Sequence, residues 1–209
     1  LMSQINVNKV ISPTQAASNG PSIEVASNGN MSIDTDTVFV DSTNDRVGIG
    51  TNSPARTLDI RQEGGISFNS GLIFEDCQLT NSGLSGTSHH SVEADNARYW
   101  NSAASGNWTY NIRWNSSTTL DSKMSTGETI NISYVTAVGG SSYYQSGFQI
   151  DGTNTTVQWV DQLTPVQGGG RDANSDAATS GFDVYNFAIN KNGTNSYYVL
   201  GSHTHFGSF

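Results

Sequence analysis

Three short pairs of apolar residues between positions 36 and 60 constrain the fold of this chain more than any other feature of its sequence. One residue separates the two members of each pair, so both side chains point to the same face of a β-strand. Stretches rich in Asp, Asn, Ser and Thr separate the pairs, which predicts the order strand, turn, strand, turn, strand. The pairs are Val38 and Val40, Val47 and Ile49, and Leu58 and Ile60.

Two glycines alternate with the second pair. Gly48 and Gly50 occupy the positions on the opposite face from Val47 and Ile49. One face of that strand is therefore bare backbone, which is expected where another chain or a sharp bend comes very close. Three strands this short have too little apolar surface to close a core within one chain. The segment therefore predicts several copies of the chain wrapped around a shared axis.

The same stretch resembles a known structural module. The run Val38-Phe39-Val40-Asp41, followed by Arg46-Val47-Gly48-Ile49-Gly50-Thr51, Pro54 and Leu58-Asp59-Ile60, is similar to the "FVD … VGIGT … P … LDV" module of bacteriophage tail fibres and related virion fibres, especially those of marine phages. Residues 166–169 with 183–189, and residues 198–202 with Phe206, also resemble the C-terminal domain of many marine phage fibre proteins. The resemblance implies an elongated homotrimer. Its predicted core, with glycines that let the chains approach, is Val38, Val40, Val47, Gly48, Ile49, Gly50, Leu58 and Ile60.

The composition favours a turn-rich all-β protein. Charged residues make up only 13% of the chain, so its polar surface must come largely from hydroxyl and amide side chains. The net charge of −9 gives no basic field, which argues against a nucleic-acid partner. No window approaches the roughly 18 apolar residues of a membrane span, so membrane insertion is not expected. The single cysteine, Cys77, is expected to be a small buried residue.

The spacing of strands and turns predicts four segments. Residues 1–35 form an extended arm for virion attachment, and residues 36–62 form an intertwined trimeric stem. Residues 63–104 form a neck, with one or two helical turns from Val92 to Trp100. Longer strands and more aromatic residues predict an antiparallel β-sandwich or jelly-roll head at residues 105–209. The predicted fold class is therefore all-β, with an elongated stem followed by a head.

Two pairs of residues in the predicted head are candidate binding sites. Tyr143 and Tyr144 lie in a Gly/Ser loop, where exposed aromatic faces can stack on sugar rings; protein contacts are the alternative use. His203 and His205 share one face of a strand, and three chains would bring six imidazoles together, enough for an octahedral metal site. The favoured interpretation of this second pair is two partly exposed histidines without a metal, and no cofactor is expected.

The sequence favours a structural role over catalysis. It contains no Gly-x-Ser-x-Gly, His-Glu-x-x-His or phosphate-loop pattern, so an enzyme is not expected. We expect a component of a phage virion, made in the bacterial cytoplasm: a homotrimeric tail fibre or short fibre that contributes to host attachment. Its partners would be further copies of itself, other tail or capsid proteins, and a host surface glycan. The alternatives are a capsid decoration or head-fibre protein and a carbohydrate-binding module.

Overall fold

The computed structural model describes residues 9–11, 22–33, 37–61, 66, 75–141, 143–166 and 180–207. These residues form β-strands, turns and one 3₁₀ helix at Val160–Gln162, and none of them is in an α-helix. The all-β prediction is therefore confirmed. The chain divides into two compact units, Leu1–Gly71 and Leu72–Phe209, which we call the N-terminal unit and the C-terminal unit.

The N-terminal unit contains one six-stranded sheet, with its strands in chain order. Neighbouring strands are antiparallel except for the last two, which are parallel. The strands predicted from the apolar pairs are all present. Three further strands from the predicted arm extend the same sheet, so these strands of the arm are not separate from the stem. The strands are β1 Lys9–Ile11, β2 Ser22–Val25, β3 Met31–Ile33, β4 Val38–Asp41, β5 Arg46–Ile49 and β6 Leu58–Ile60.

Side-chain hydrogen bonds fix the two connections that follow β4 and β5. The Asp41 carboxylate accepts bonds from the backbone N–H groups of Thr43 (3.0 Å) and Asn44 (3.2 Å), which is an Asx-type turn. In the connection from β5 to β6, the Arg46 guanidinium donates to the Pro54 carbonyl at 2.8 Å. These bonds set the register that places the apolar pairs side by side.

The C-terminal unit is a sandwich of a four-stranded and a six-stranded sheet. Their strand orders are β13-β12-β10-β8 and β14-β16-β15-β11-β9-β7. The strands are β7 Cys77–Thr80, β8 Gly86–Ser91, β9 Ala97–Trp100, β10 Trp108–Arg113, β11 Thr129–Ala137, β12 Gln145–Ile150, β13 Thr153–Asn154, β14 Val157–Trp159, β15 Phe182–Gly193 and β16 Ser196–Phe206.

The expectation of an antiparallel sandwich is wrong for much of this unit. From β7 to β12 the chain crosses from one sheet to the other at every step. Each strand therefore returns to its own sheet in the same direction, and β8, β10 and β12 pair in parallel, as do β7, β9 and β11. Antiparallel pairing joins β11, β15 and β16.

The sandwich also begins earlier than predicted. Strands β7, β8 and β9 lie in the interval that was expected to be a neck, yet they belong to the two sheets. The predicted helical turns at Val92–Trp100 are wrong, because Ala97–Trp100 pairs with both β7 and β11 and places Trp100 in the core. Cys77 is exposed, against expectation, because it lies on an edge strand.

Aromatic side chains dominate the core between the sheets. Trp108 and Tyr110 come from the four-stranded sheet, and Tyr134, Tyr185 and Phe187 from the six-stranded sheet; all five are at most 2% exposed. The rings of Tyr134 and Tyr185 stack with centroids 4.7 Å apart. The Tyr134 hydroxyl accepts a bond from Trp108 Nε1 at 3.0 Å, so burying these two polar atoms costs little.

Candidate functional site: the apolar face of the N-terminal sheet

One face of the N-terminal sheet is lined by apolar side chains from β2 to β6. The cross-strand register aligns them in two rows that run perpendicular to the strands. Since directly paired residues lie on the same side of a sheet, the rows form one continuous surface, which we call the apolar face. Its rows are Ile23, Ile33, Val38, Ile49 and Ile60, and Val25, Met31, Val40, Val47 and Leu58.

The apolar face is open to solvent in the single chain. Leu58 is 57% exposed, Val25 47%, and Ile23, Ile49 and Ile60 between 40% and 43%. The other five residues of the face are half-buried. A contiguous apolar surface of this kind on a soluble protein marks an interaction site.

The opposite face of the sheet carries polar and charged groups. Asp41 and Arg46 pair across β4 and β5 on that side, and Asp59 lies 2.8 Å from the Arg61 guanidinium. The hydrogen bond from Arg61 lowers the pKa of the Asp59 carboxyl, and the bond from the Asn44 side chain lowers that of Asp41. The carboxylates therefore stay charged, and this face suits solvent better than an apolar partner.

The two glycines of β5 and its turn have explanations within one chain. A Cβ added to Gly48 would lie 2.2 Å from the carbonyl oxygen of Thr51, so the chain's own turn makes the close approach at this position. Gly50 has a φ of 71°, a conformation that costs glycine little. The sharp bend foreseen at these positions is present, and neither glycine needs a second chain to explain it.

Tyr143 and Tyr144 are both half-buried rather than displayed on a loop. Tyr143 packs against the core of the sandwich. The backbone of Tyr144 is held by Asn107 and by the N–H of Trp108. The most exposed aromatic side chain among the described core and surface residues is instead Tyr198, at 63%. Tyr198 was not singled out from the sequence; the alternation of Tyr198 with the apolar Val199 is the signal that could have found it.

Tyr198 borders a cavity of about 600 Å³. The cavity lies between the start of β16 and the connection between β12 and β14, and its walls carry hydroxyl, amide and carboxylate groups. They include Thr153, Asn154, Asp151 and Asn195. An exposed aromatic face beside such groups is suited to a sugar ring.

His203 and His205 share the inner face of β16, as the spacing predicts. His203 is 3% exposed and lies between the rings of Trp159 and Tyr185, with centroids at 5.7 and 5.8 Å. The Nδ1 atom of His205 lies 2.8 Å from a carboxylate oxygen of Asp183. A ring buried in this way cannot reach a shared threefold axis, so the six-imidazole arrangement does not fit the position of His203.

Comparison with known proteins found no matching family model, no matching curated protein and no matching solved structure. Within the described ranges, no group of three or more His, Cys, Asp or Glu side chains is arranged to hold a metal ion. The same residues include no helix that is long and apolar enough to cross a membrane.

Proposed function

We propose that the chain is a structural component of a phage virion, most simply a homotrimeric tail fibre or short fibre that contributes to host attachment. The observation that carries the proposal is the apolar face of the N-terminal sheet. Six of its ten side chains belong to the segment that resembles the stem module of virion fibres, and all six point to the same side.

Further copies of the chain are the simplest cover for the apolar face. Each of its five most exposed side chains would gain about 1 kcal/mol from complete burial, because roughly half of each is still in contact with water. The total is comparable with the net stability of a small domain. Three copies that turn this face to a common axis would bury it and leave the charged face in solvent.

Two measurements test this proposal. Sedimentation equilibrium of the full chain should give three times the chain mass of 22.3 kDa, and a folded monodisperse monomer would overturn the trimer. Imaging of particles with a labelled chain should place the label on the tail. A label at capsid threefold or quasi-threefold sites would favour the alternative of a decoration or head-fibre protein, which uses the same trimer without recognising a receptor.

A second candidate function is contact with a host surface glycan, and the exposed Tyr198 beside its polar cavity favours it. The Tyr198→Ala variant should lose adsorption to host cells. Tyr143→Ala is the control, because Tyr143 packs against the core and does not line this cavity. Adsorption that survives the loss of the Tyr198 ring would reject a glycan site at this cavity.

A further inference from the structure

We propose that Arg113 and the loop that follows it form a binding site for a small oxyanion, a carboxylate or phosphate group carried by a sugar-sized ligand. Arg113 is the last residue of β10, and its side chain lies on the same face of the strand as Thr109 and the buried Asn111, opposite the core residues Trp108, Tyr110 and Ile112. The site therefore lies on the outer face of the four-stranded sheet, and it does not depend on the proposed trimer.

The first argument is that Arg113 forms no ion pair with the described residues, whereas two other cationic side chains of the sandwich each pair with a carboxylate. Arg98 Nε lies 3.0 Å from Asp95, and Lys191 Nζ lies 2.9 Å from Asp121. The Nε atom of Arg113 is buried and has no hydrogen-bond partner among the described residues. A buried donor on a charged group is expected to have a partner, because leaving it without one costs a few kcal/mol. Arg113 lines a cavity of about 320 Å³, large enough for a small ligand.

The second argument is that the walls of this cavity are already fixed. The side-chain oxygen Oδ1 of Asn115 accepts bonds from the backbone N–H groups of Ser117 (2.9 Å) and Thr118 (2.7 Å). The Asn115 amide donates to Glu93 at 2.8 Å. Asp151 is the carboxylate of the lining, and its two oxygens accept the backbone N–H groups of Leu120 and Asp121. One backbone N–H thus bonds to each Asp151 oxygen and offsets part of its charge, and the Arg113 guanidinium and the Thr118 hydroxyl are donors of the lining that a ligand would meet.

The third argument concerns His89, which lies across from Asn111 on β8. The N–H of Gly152 donates to Asn111 Oδ1 at 3.0 Å, so the Asn111 amide nitrogen must be the donor to His89 Nδ1 at 2.8 Å. His89 is therefore neutral, with its hydrogen on Nε2. Desolvation and the charge of Arg113 both lower the pKa of His89, which keeps this tautomer. The His89 Nε2–H group is a further donor on the strand that pairs with β10, and a guanidinium together with N–H donors suits an oxyanion.

Calorimetric titration of the full chain with glucuronate, glucose 6-phosphate and glucose, at matched ionic strength, tests the site. We expect at least one charged ligand to bind at least tenfold more tightly than glucose. Arg113→Gln should weaken that binding about tenfold or more, while Arg56→Gln, which removes the same charge from the N-terminal unit, should leave it unchanged. A preference for glucuronate identifies the carboxylate as the natural group, and a preference for glucose 6-phosphate identifies the phosphate.

Two results would overturn the proposal. One is equal binding of the charged ligands by the original chain and by Arg113→Gln. The other is the absence of any preference for charged ligands over glucose. If Arg113→Gln fails to fold, the imidazole resonances of His89 in the original chain decide the question. They must shift when the charged ligand is added and stay in place with glucose.

Discussion

The two units of this protein differ in whether the apolar faces of their strands are buried within one chain. In the C-terminal unit the two sheets face each other, and side chains such as Phe187 are 2% exposed within one chain. In the N-terminal unit the described strands form a single sheet, and Leu58 on its apolar face is 57% exposed. The sandwich therefore carries its own stabilising core, whereas the apolar face of the sheet is open to solvent in the single chain. The same alternating strand pattern can lead to a folded domain or to an assembly interface.

Placing a charge on the apolar face should have the largest effect on this contrast. Ile49→Lys puts an ammonium group at the middle of the face, where assembly would bury it without a partner at a cost of several kcal/mol in every copy. We expect complete loss of the oligomer in sedimentation, with the near-ultraviolet circular dichroism of the sandwich unchanged. Ser32→Lys is the control, because Ser32 pairs with Phe39 on the opposite face. If both variants assemble equally well, the apolar face is not the interface.

The reverse experiment removes a side chain from the core of the sandwich. Phe187 contacts the rings of Tyr110, Phe148 and Trp159, so Phe187→Ala should reduce the free energy of unfolding of this unit by about 3–5 kcal/mol. Denaturation followed by tryptophan fluorescence measures the change. The neighbouring exposed Asn186→Ala should alter it by less than about 0.5 kcal/mol. Oligomerisation that also fails in Phe187→Ala would show that the two units are not independent in this respect.

The sequence foresaw the N-terminal sheet better than the sandwich, and the reason is physical. Period-two alternation reports which side chains share a face, and that was enough to place Val40, Val47 and Leu58 on one face of the sheet. It carries no information on which strands pair or in which direction, so the parallel pairing of β8, β10 and β12 was missed. Burial of Tyr143 and His203 depends on the same tertiary pairing, as does the position of Arg113.

A smaller effect is expected at the contact between β14 and β16 of the sandwich. A Cβ at Gly201 would lie 2.5 Å from Val157 Cγ1 and 2.9 Å from an atom of the Trp159 ring. Gly201→Ala should therefore push β14 away from β16 and cost about 1–3 kcal/mol of unfolding free energy. Gly140→Ala provides the control, since its Cβ would meet nothing within 4 Å. Equal stability of the two variants would show that β14 moves without cost.

The smallest effect we expect is on the pH dependence of stability, in which two buried groups of the sandwich oppose each other. Burial raises the pKa of Asp183 from 3.8 to about 6. Between pH 4.5 and 6 the folded chain therefore keeps a proton that the unfolded chain has lost, and this group lowers stability as the pH rises. Burial lowers the pKa of His90 from 6.5 to about 4, so the unfolded chain holds the extra proton and stability rises with pH. The two slopes should nearly cancel.

Asp183→Asn separates the two contributions. The substitution removes the contribution that lowers stability as the pH rises and leaves the contribution of His90. The free energy of unfolding of the variant should therefore rise by roughly 1–2 kcal/mol between pH 4.5 and 6, whereas that of the original chain should hardly change. Urea denaturation at several pH values measures both profiles. In the N-terminal unit the pKa values of Asp41 and Asp59 are lowered, so these two carboxylates titrate below this window. A flat profile in the variant would mean that burial does not hold His90 neutral, and the sandwich interior would then be more accessible to water than its packed aromatic core implies.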